Sequence, residues 1–293
     1  MNRFLILTFF PILLAGGQRA EAPRDYVQGE TKWRLEMESA LKANEGWLSV
    51  AGLYWLSKEV TTLGASDQAD IRLPNGSAPE MVGRFDFRDG KVTLIVDSPA
   101  KANLKNQAGT PIQNRVMAPD VDRVSIGSVT LMVIKRGDRT GVRIFDRNSS
   151  GLKEFKGMRW FPVDPSYRVT AKFVPYNPPK PMTITNVLGD TRIAACPGYV
   201  QFNLNGKTCR LEAEPAGKGL FFNFKDKTTG NTTYPAGRFL DADGPKEGKV
   251  VLDFNRAVNP PCAFTAFATC PLPPKGNNLP VPVNAGEKSR HTG

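Results

Sequence analysis

Tyr167-Arg168-Val169-Thr170-Ala171-Lys172-Phe173 decides the fold class. Val169, Ala171 and Phe173 alternate with Arg168, Thr170 and Lys172, and a period of two puts the apolar side chains on one face of a strand and the polar ones on the other. Toward the C-terminus the same grammar predicts strands at 182–187, 199–204, 209–213, 220–224 and 250–254. Toward the N-terminus Val92, Leu94 and Val96 alternate, 129–134 is a continuous apolar run, and Gly141-Val142-Arg143-Ile144-Phe145 alternates again. The 27 glycines and 24 prolines cut the chain into the short runs that build sandwiches and barrels. One helical pattern stands apart: over 29–43, Trp33, Met37, Ala40 and Leu41 recur at three-to-four spacing before Asn44-Glu45-Gly46 stops it. The expected fold is all-β, two sandwich or barrel units with one N-terminal helix.

Residues 1–22 have the form of an export signal. Arg3 is a short positive region, 4–15 is apolar, and Ala20-Glu21-Ala22 has the small-x-small form of a cleavage site. Pro11 interrupts an apolar run of about a dozen residues, short of the ~20 a spanning helix needs, so stable membrane insertion is not expected. The remaining chain divides into a helix and aromatic plug (23–60), a first β-unit (61–150), a second β-rich unit (151–285) after the polar turn Arg147-Asn148-Ser149-Ser150-Gly151, and a disordered tail (286–293). The expected location is periplasmic or secreted.

The net charge of +11 comes from lysines and arginines spread along the chain, with no basic run or arginine-rich helix of the kind that tracks nucleic acid. Such a surface suits an anionic small molecule or envelope polymer through attraction that salt screens. No glycine-rich phosphate loop, Gly-x-Ser-x-Gly elbow or histidine metal signature occurs, and the one histidine, His291, lies in the tail, so no cofactor or metal is expected and no histidine-based triad. Cys196, Cys209, Cys262 and Cys270 would pair in an oxidising compartment, most simply as Cys196–Cys209 and Cys262–Cys270. For Cys262 and Cys270, metal thiolates or a redox pair are the alternatives.

Candidate chemistry concentrates at 250–274, where a strand runs into Asn255, Arg256, Asn259, Pro260-Pro261, Cys262 and Cys270-Pro271. Asp253 and Glu287 are the candidate acid/base pair, Arg238 and Arg256 the candidate anion clamps, and Asn255, Asn259 and Tyr234 further ligand contacts; Arg238, Arg256, Asp253, Asn259 and Glu287 are expected to converge on one pocket. The competing account makes the same residues a buried ion pair with Asn-capped turns. Three functions fit: binding of a small or polymeric anionic or hydroxylated ligand in the cell envelope, a metal-free carboxylate hydrolase or lyase, and a structural or interaction module.

Two resemblances extend this reading. Leu63-Gly64-Ala65-Ser66-Asp67, Asp70-Ile71-Arg72-Leu73-Pro74, Gly90-Lys91-Val92-Thr93-Leu94 and the run 124–131 are similar in strand rhythm to forkhead-associated domains. Gly64-Ala65 and Ser77-Ala78-Pro79-Glu80 stand where that family has Gly-Arg and Ser-x-x-His, so the likeness implies the sandwich without phosphothreonine binding. Phe155-x-Gly157, Phe161-Pro162-Val163-Asp164, Asp226-x-Thr228-x-Gly230-x-x-Thr233-Tyr234, Gly237-Arg238-Phe239-Leu240, Asp253-Phe254-Asn255-Arg256-Ala257-x-Asn259-Pro260 with Cys262, Cys270-Pro271-Leu272-Pro273-Pro274 and Ala285-Gly286-Glu287-Lys288 resemble domain-of-unknown-function family 1684. Gly46-Trp47-Leu48 and Gly52-Leu53-x-Trp55-Leu56 fit it too. That resemblance implies a two-part β-rich protein and carries no activity, cofactor or catalytic residue with it.

Overall fold

The alternation at 167–173 becomes the start of β11 (Arg168–Thr185), in which Ala171 is buried while Arg168, Thr170 and Lys172 are exposed. The computed structural model describes residues 22–97 and 103–290; the export signal expected at 1–22 therefore lies, but for its last residue, outside the described residues, as does His291.

Ten strands form the first unit: β1 (Val50–Trp55), β2 (Val60–Gly64), β3 (Ile71–Arg72), β4 (Gly83–Arg88), β5 (Lys91–Val96), β6 (Lys105–Asn106), β7 (Asn114–Met117), β8 (Arg123–Ile126), β9 (Val129–Arg136) and β10 (Arg139–Asp146). They make two five-stranded sheets, β1-β10-β9-β8-β6 and β3-β2-β4-β5-β7. The inward residues of both, among them Leu63, Phe85, Leu94, Leu131, Val133 and Ile144, share one core, the arrangement of a sandwich. Trp47 to Leu56, expected as a plug lying on a sheet, is instead largely a strand within one: β1 pairs with β10 from Val50↔Phe145 to Trp55↔Gly141. Its density of apolar residues follows from two-sided packing, Gly52 and Tyr54 toward Ile144 on one face and Val50, Leu53 and Trp55 with Ile134 and Phe145 on the other. Gly64 and Ala65 lie beside Pro79 and Glu80: Ala65 N donates to Pro79 O at 2.9 Å and Ser66 N to Glu80 O at 3.0 Å. The approach is so close that a Cβ on Gly64 would sit 1.9 Å from the Glu80 carbonyl oxygen.

After a short helix, α2 (Ser150–Lys153), the second unit pairs β11 with β12 (Thr191–Leu204), β13 (Lys207–Glu212) and β17 (Lys249–Asp253) in the order β13-β12-β11-β17. A three-stranded sheet, β14 (Glu214–Ala216), β15 (Gly219–Phe224) and β16 (Arg238–Asp243), faces it across a core of Val200, Phe202, Leu211, Phe222, Phe224, Leu252 and Phe254. β16 escaped the sequence reading because its alternation is short and ends in Asp241-Ala242-Asp243.

Two boundaries move. The helix α1 (Arg24–Lys42) begins five residues before the apolar pattern suggested, since Pro23 precedes it and Asp25 sits favourably in its first turn. Gly286 to Arg290, expected as tail, are packed: Phe161 N donates to Gly286 O, Glu287 N to Ala257 O and Ser289 N to Thr232 O. Gly286 is required there, with φ of 78° and the Ala257 carbonyl 2.5 Å from where a Cβ would stand. Among the described residues no helix is long and apolar enough to cross a membrane.

Candidate functional site

The residues expected to converge separate into three groups, and burial explains the division. Arg238, on β16, is 1 % exposed and faces Asp226 at 2.9 Å inside the core. Its guanidinium also donates to the carbonyls of Val283 and Ala285, while Asp226 accepts from Thr228 N at 2.8 Å and Val283 N at 3.1 Å. This pair fastens the extended 277–285 segment across the second unit. It has no opening to a ligand.

Asn259 and Glu287 form the second group. Glu287 is 0 % exposed; one carboxyl oxygen accepts from Asn259 N at 2.8 Å and the other has no hydrogen-bond partner. Burial outweighs the hydrogen bonds and the nearby Arg238 charge, pushing Glu287 up to about 8, so it is a neutral acid at neutral pH. Asn259 Nδ2 donates to Lys288 O at 2.9 Å, which closes the clasp. Glu287 therefore does not join Asp253 in one cavity.

The third group does face a cavity. Asp253, at the end of β17, caps the 3-10 turn Phe254–Arg256 by accepting from Asn255 N at 3.1 Å. Its other oxygen accepts from Tyr26 of α1 at 2.7 Å. Burial first, then Asp253, raise the Tyr26 hydroxyl, which stays protonated and donating. Asn255 is consumed internally: its amide donates to Tyr26 Oη, Asp164 O and Asp253, and its carbonyl accepts from Asp164 N. Arg256 grips Glu30 of α1 through Nε at 2.9 and 3.2 Å and Nη2 at 2.8 Å, and lies over Trp33 at 5.4 Å. Glu30 is 1 % exposed, and its hydrogen bond holds the Arg256 guanidinium above its ordinary value.

Between α1 and the outer faces of β11, β16 and β17 runs a half-open cleft of about 950 Å³. Tyr26, Glu30, Trp33 and Met37, one stripe at helical spacing, form its wall. Phe239, Asp241 and Asp243 reach it by alternation along β16, and Lys249, Val251 and Asp253 along β17, with Lys246 between. Desolvation raises the Asp241 carboxyl. Asp241, Asp243, Lys246 and Lys249 make no side-chain hydrogen bond or ion pair among the described residues, in contrast to the arginines above. The sequence reading missed Asp241 and Asp243 because β16 went unrecognised, and Tyr26 because the helix was started at Gly29; Glu30, Lys246 and Lys249 carry no local pattern that marks them.

Tyr234 donates to Cys262 O at 2.9 Å and is not on the cleft. All four cysteines are free thiols. The pairing Cys196–Cys209 is excluded by register: Cys209 sits opposite Phe202 and Cys196 opposite Lys180, roughly 20 Å apart along β12 at strand rise. Cys262 and Cys270 are neighbours, with Cys262 N donating to Cys270 Sγ at 3.2 Å, yet unbonded here. Among the described residues no group of three or more His, Cys, Asp or Glu is arranged to hold a metal.

No curated protein matches the chain. Among solved structures, the solution NMR structure of an uncharacterized protein of Haloarcula marismortui is 32% identical over 47% of this chain and 80% of that one, with a TM-score of 0.41. Residues 153–288, which hold the second unit together with the three residue groups above, match the family described as "Protein of unknown function (DUF1684)", and the chain belongs to that family.

Proposed function

We propose that the chain is an exported binding protein whose cleft takes a small or polymeric ligand of the cell envelope that is both hydroxylated and anionic. The observation that carries the reading is a cleft with charges of both signs left unused. Asp241 and Asp243 offer acceptors to hydroxyl groups, and Lys246 and Lys249 offer donors to an acid group. Trp33 and Phe239 add apolar surface for the faces of a sugar ring. The export signal read at 1–22 supports the location. The carboxylate hydrolase or lyase ranks behind, because Asp253 lines the cleft without Glu287.

The test is calorimetric titration with glucuronate, N-acetylmuramate and glycerol phosphate, with glucose as the uncharged control. At least one acidic probe should bind saturably, more weakly as salt rises. Replacing Lys246 and Lys249 together with Ala should weaken it about tenfold, equivalent to about 1.4 kcal/mol, without lowering the melting temperature. Absence of saturable binding by every acidic probe, or unchanged affinity in the double variant, refutes the reading.

A further inference from the structure

We propose that Cys262 and Cys270 form a thiol–disulfide exchange site, with Cys262 the attacking sulfur, Cys270 the resolving sulfur and Arg143 the cation that offsets negative charge on the pair. The site is separate from the cleft, whose lining includes none of the three.

Three segments far apart in sequence build it. The 262–270 loop lies between Pro260-Pro261 and Pro271, whose fixed φ limits how far its ends can part. Its second end is fastened further: Val187 N donates to Cys270 O at 2.9 Å, Asn223 Nδ2 to Pro271 O at 2.8 Å and Leu272 N to Thr185 O at 2.7 Å. Thr265 Oγ1 ties the middle to Val50 O of the first unit at 3.3 Å. The sulfurs therefore stay neighbours whatever their oxidation state.

The roles follow from exposure and charge. Cys262 is partly exposed, whereas Cys270 is 4 % exposed, so an incoming disulfide meets Cys262 first. A hydrogen bond from the Cys270 thiol lowers the Cys262 thiol, against the effect of burial. The same bond, with burial, raises Cys270, which keeps its proton until it resolves. Arg143, on β10, is 3 % exposed and stacked 4.9 Å over Trp47, and its Nε and Nη2 have no hydrogen-bond partner. A buried guanidinium in that condition is costly unless anions lie near; Asp120 is the first of these and Cys270 the next, and Arg143 in turn favours charge on Cys270.

In the first step the Cys262 thiolate attacks one sulfur of the substrate disulfide. The Cys262–substrate S–S bond forms, the substrate S–S bond breaks, and the departing thiolate takes up the proton Cys262 had released. In the second, Cys270 gives up its proton and attacks the Cys262 sulfur, and the other substrate thiolate leaves and takes up that proton. The cysteine pair is oxidised by two electrons, and the substrate is reduced to two thiols.

The probe is oxidised glutathione, with a peptide closed by one disulfide as a second arm. Reduced full chain is incubated with each, acid-quenched, alkylated and peptide-mapped. The expected product is a Cys262–Cys270 linkage with Cys196 and Cys209 alkylated. Cys270→Ser should hold glutathione on Cys262. Cys262→Ser should slow modification of Cys270 at least about tenfold, and Arg143→Met should slow release of the second thiol by a similar factor, as thiolate-controlled reactivity requires. Transfer from the peptide alone would assign the site to polypeptide disulfides, and transfer from glutathione alone to small ones. Cys262 and Cys270 both alkylated after both arms, or Cys196 or Cys209 reacting first, overturns the proposal.

Discussion

Arg238 and Arg256 each hold one buried carboxylate, and they do opposite things with the remainder of their charge. Arg238 is enclosed on all sides and spends its donors on Asp226 and two carbonyls of the 277–285 segment. Arg256 is half exposed, and its partner Glu30 belongs to a helix from the other end of the chain. The first pair is part of a core and the second is a latch. A fully desolvated pair is expensive to break, whereas a half-solvated one is partly compensated by water.

The largest expected effect breaks the first pair. Arg238→Met leaves Asp226 buried and should cost on the order of 3–5 kcal/mol, a fall of about 10 °C in thermal unfolding followed by circular dichroism. A second test concerns Glu287, which lies beside that pair and is neutral. Its folded value of about 8 stands above the unfolded carboxylate range, so its contribution is fully present below about pH 4.5, declines as pH rises, and is gone above about 8. Urea denaturation of the native protein should show stability falling by a few kcal/mol across that window. Glu287→Gln should flatten this part of the profile; a native profile already flat between those limits would mean that Glu287 is ionised.

The smallest effect separates latch from core. Arg256→Lys removes the bidentate grip and should cost about 1–3 kcal/mol, below the core variant. Hydrogen exchange should quicken in Arg24–Lys42 and remain unchanged in Gly219–Phe224. Uniform quickening would make the two arginines equivalent and remove the distinction.

Strand identity was legible in the sequence wherever alternation was long, as at Val169-Thr170-Ala171-Lys172, because one buried face leaves a period-two record. Trp47 to Leu56 was misread since a strand packed on both faces has no period to show. Arg238, Asp253, Arg256 and Glu287 were legible as unusual, but their partners were not. A charged residue in an apolar run needs a counter-charge, and nothing local says that Arg238 finds Asp226 or that Arg256 finds Glu30. The cleft was hidden for a related reason: one wall is a helix whose first turn carried no apolar pattern, and its floor draws on a strand ending in two aspartates.

The docking of α1 on the second unit sets an order of events during synthesis. Tyr26 and Asp253 are 227 residues apart in the chain, and Glu30 and Arg256 are 226 apart. The helix leaves the ribosome more than 200 residues before the surface that receives it. Closing so long a loop carries an entropic cost of several kcal/mol, and such distant contacts form slowly. In the interval the stripe of Tyr26, Trp33 and Met37 has no cover, so a nascent chain stalled before residue 253 presents it to whatever apolar surface is nearby. A chain with an assembled cleft has therefore been translated at least past Arg256.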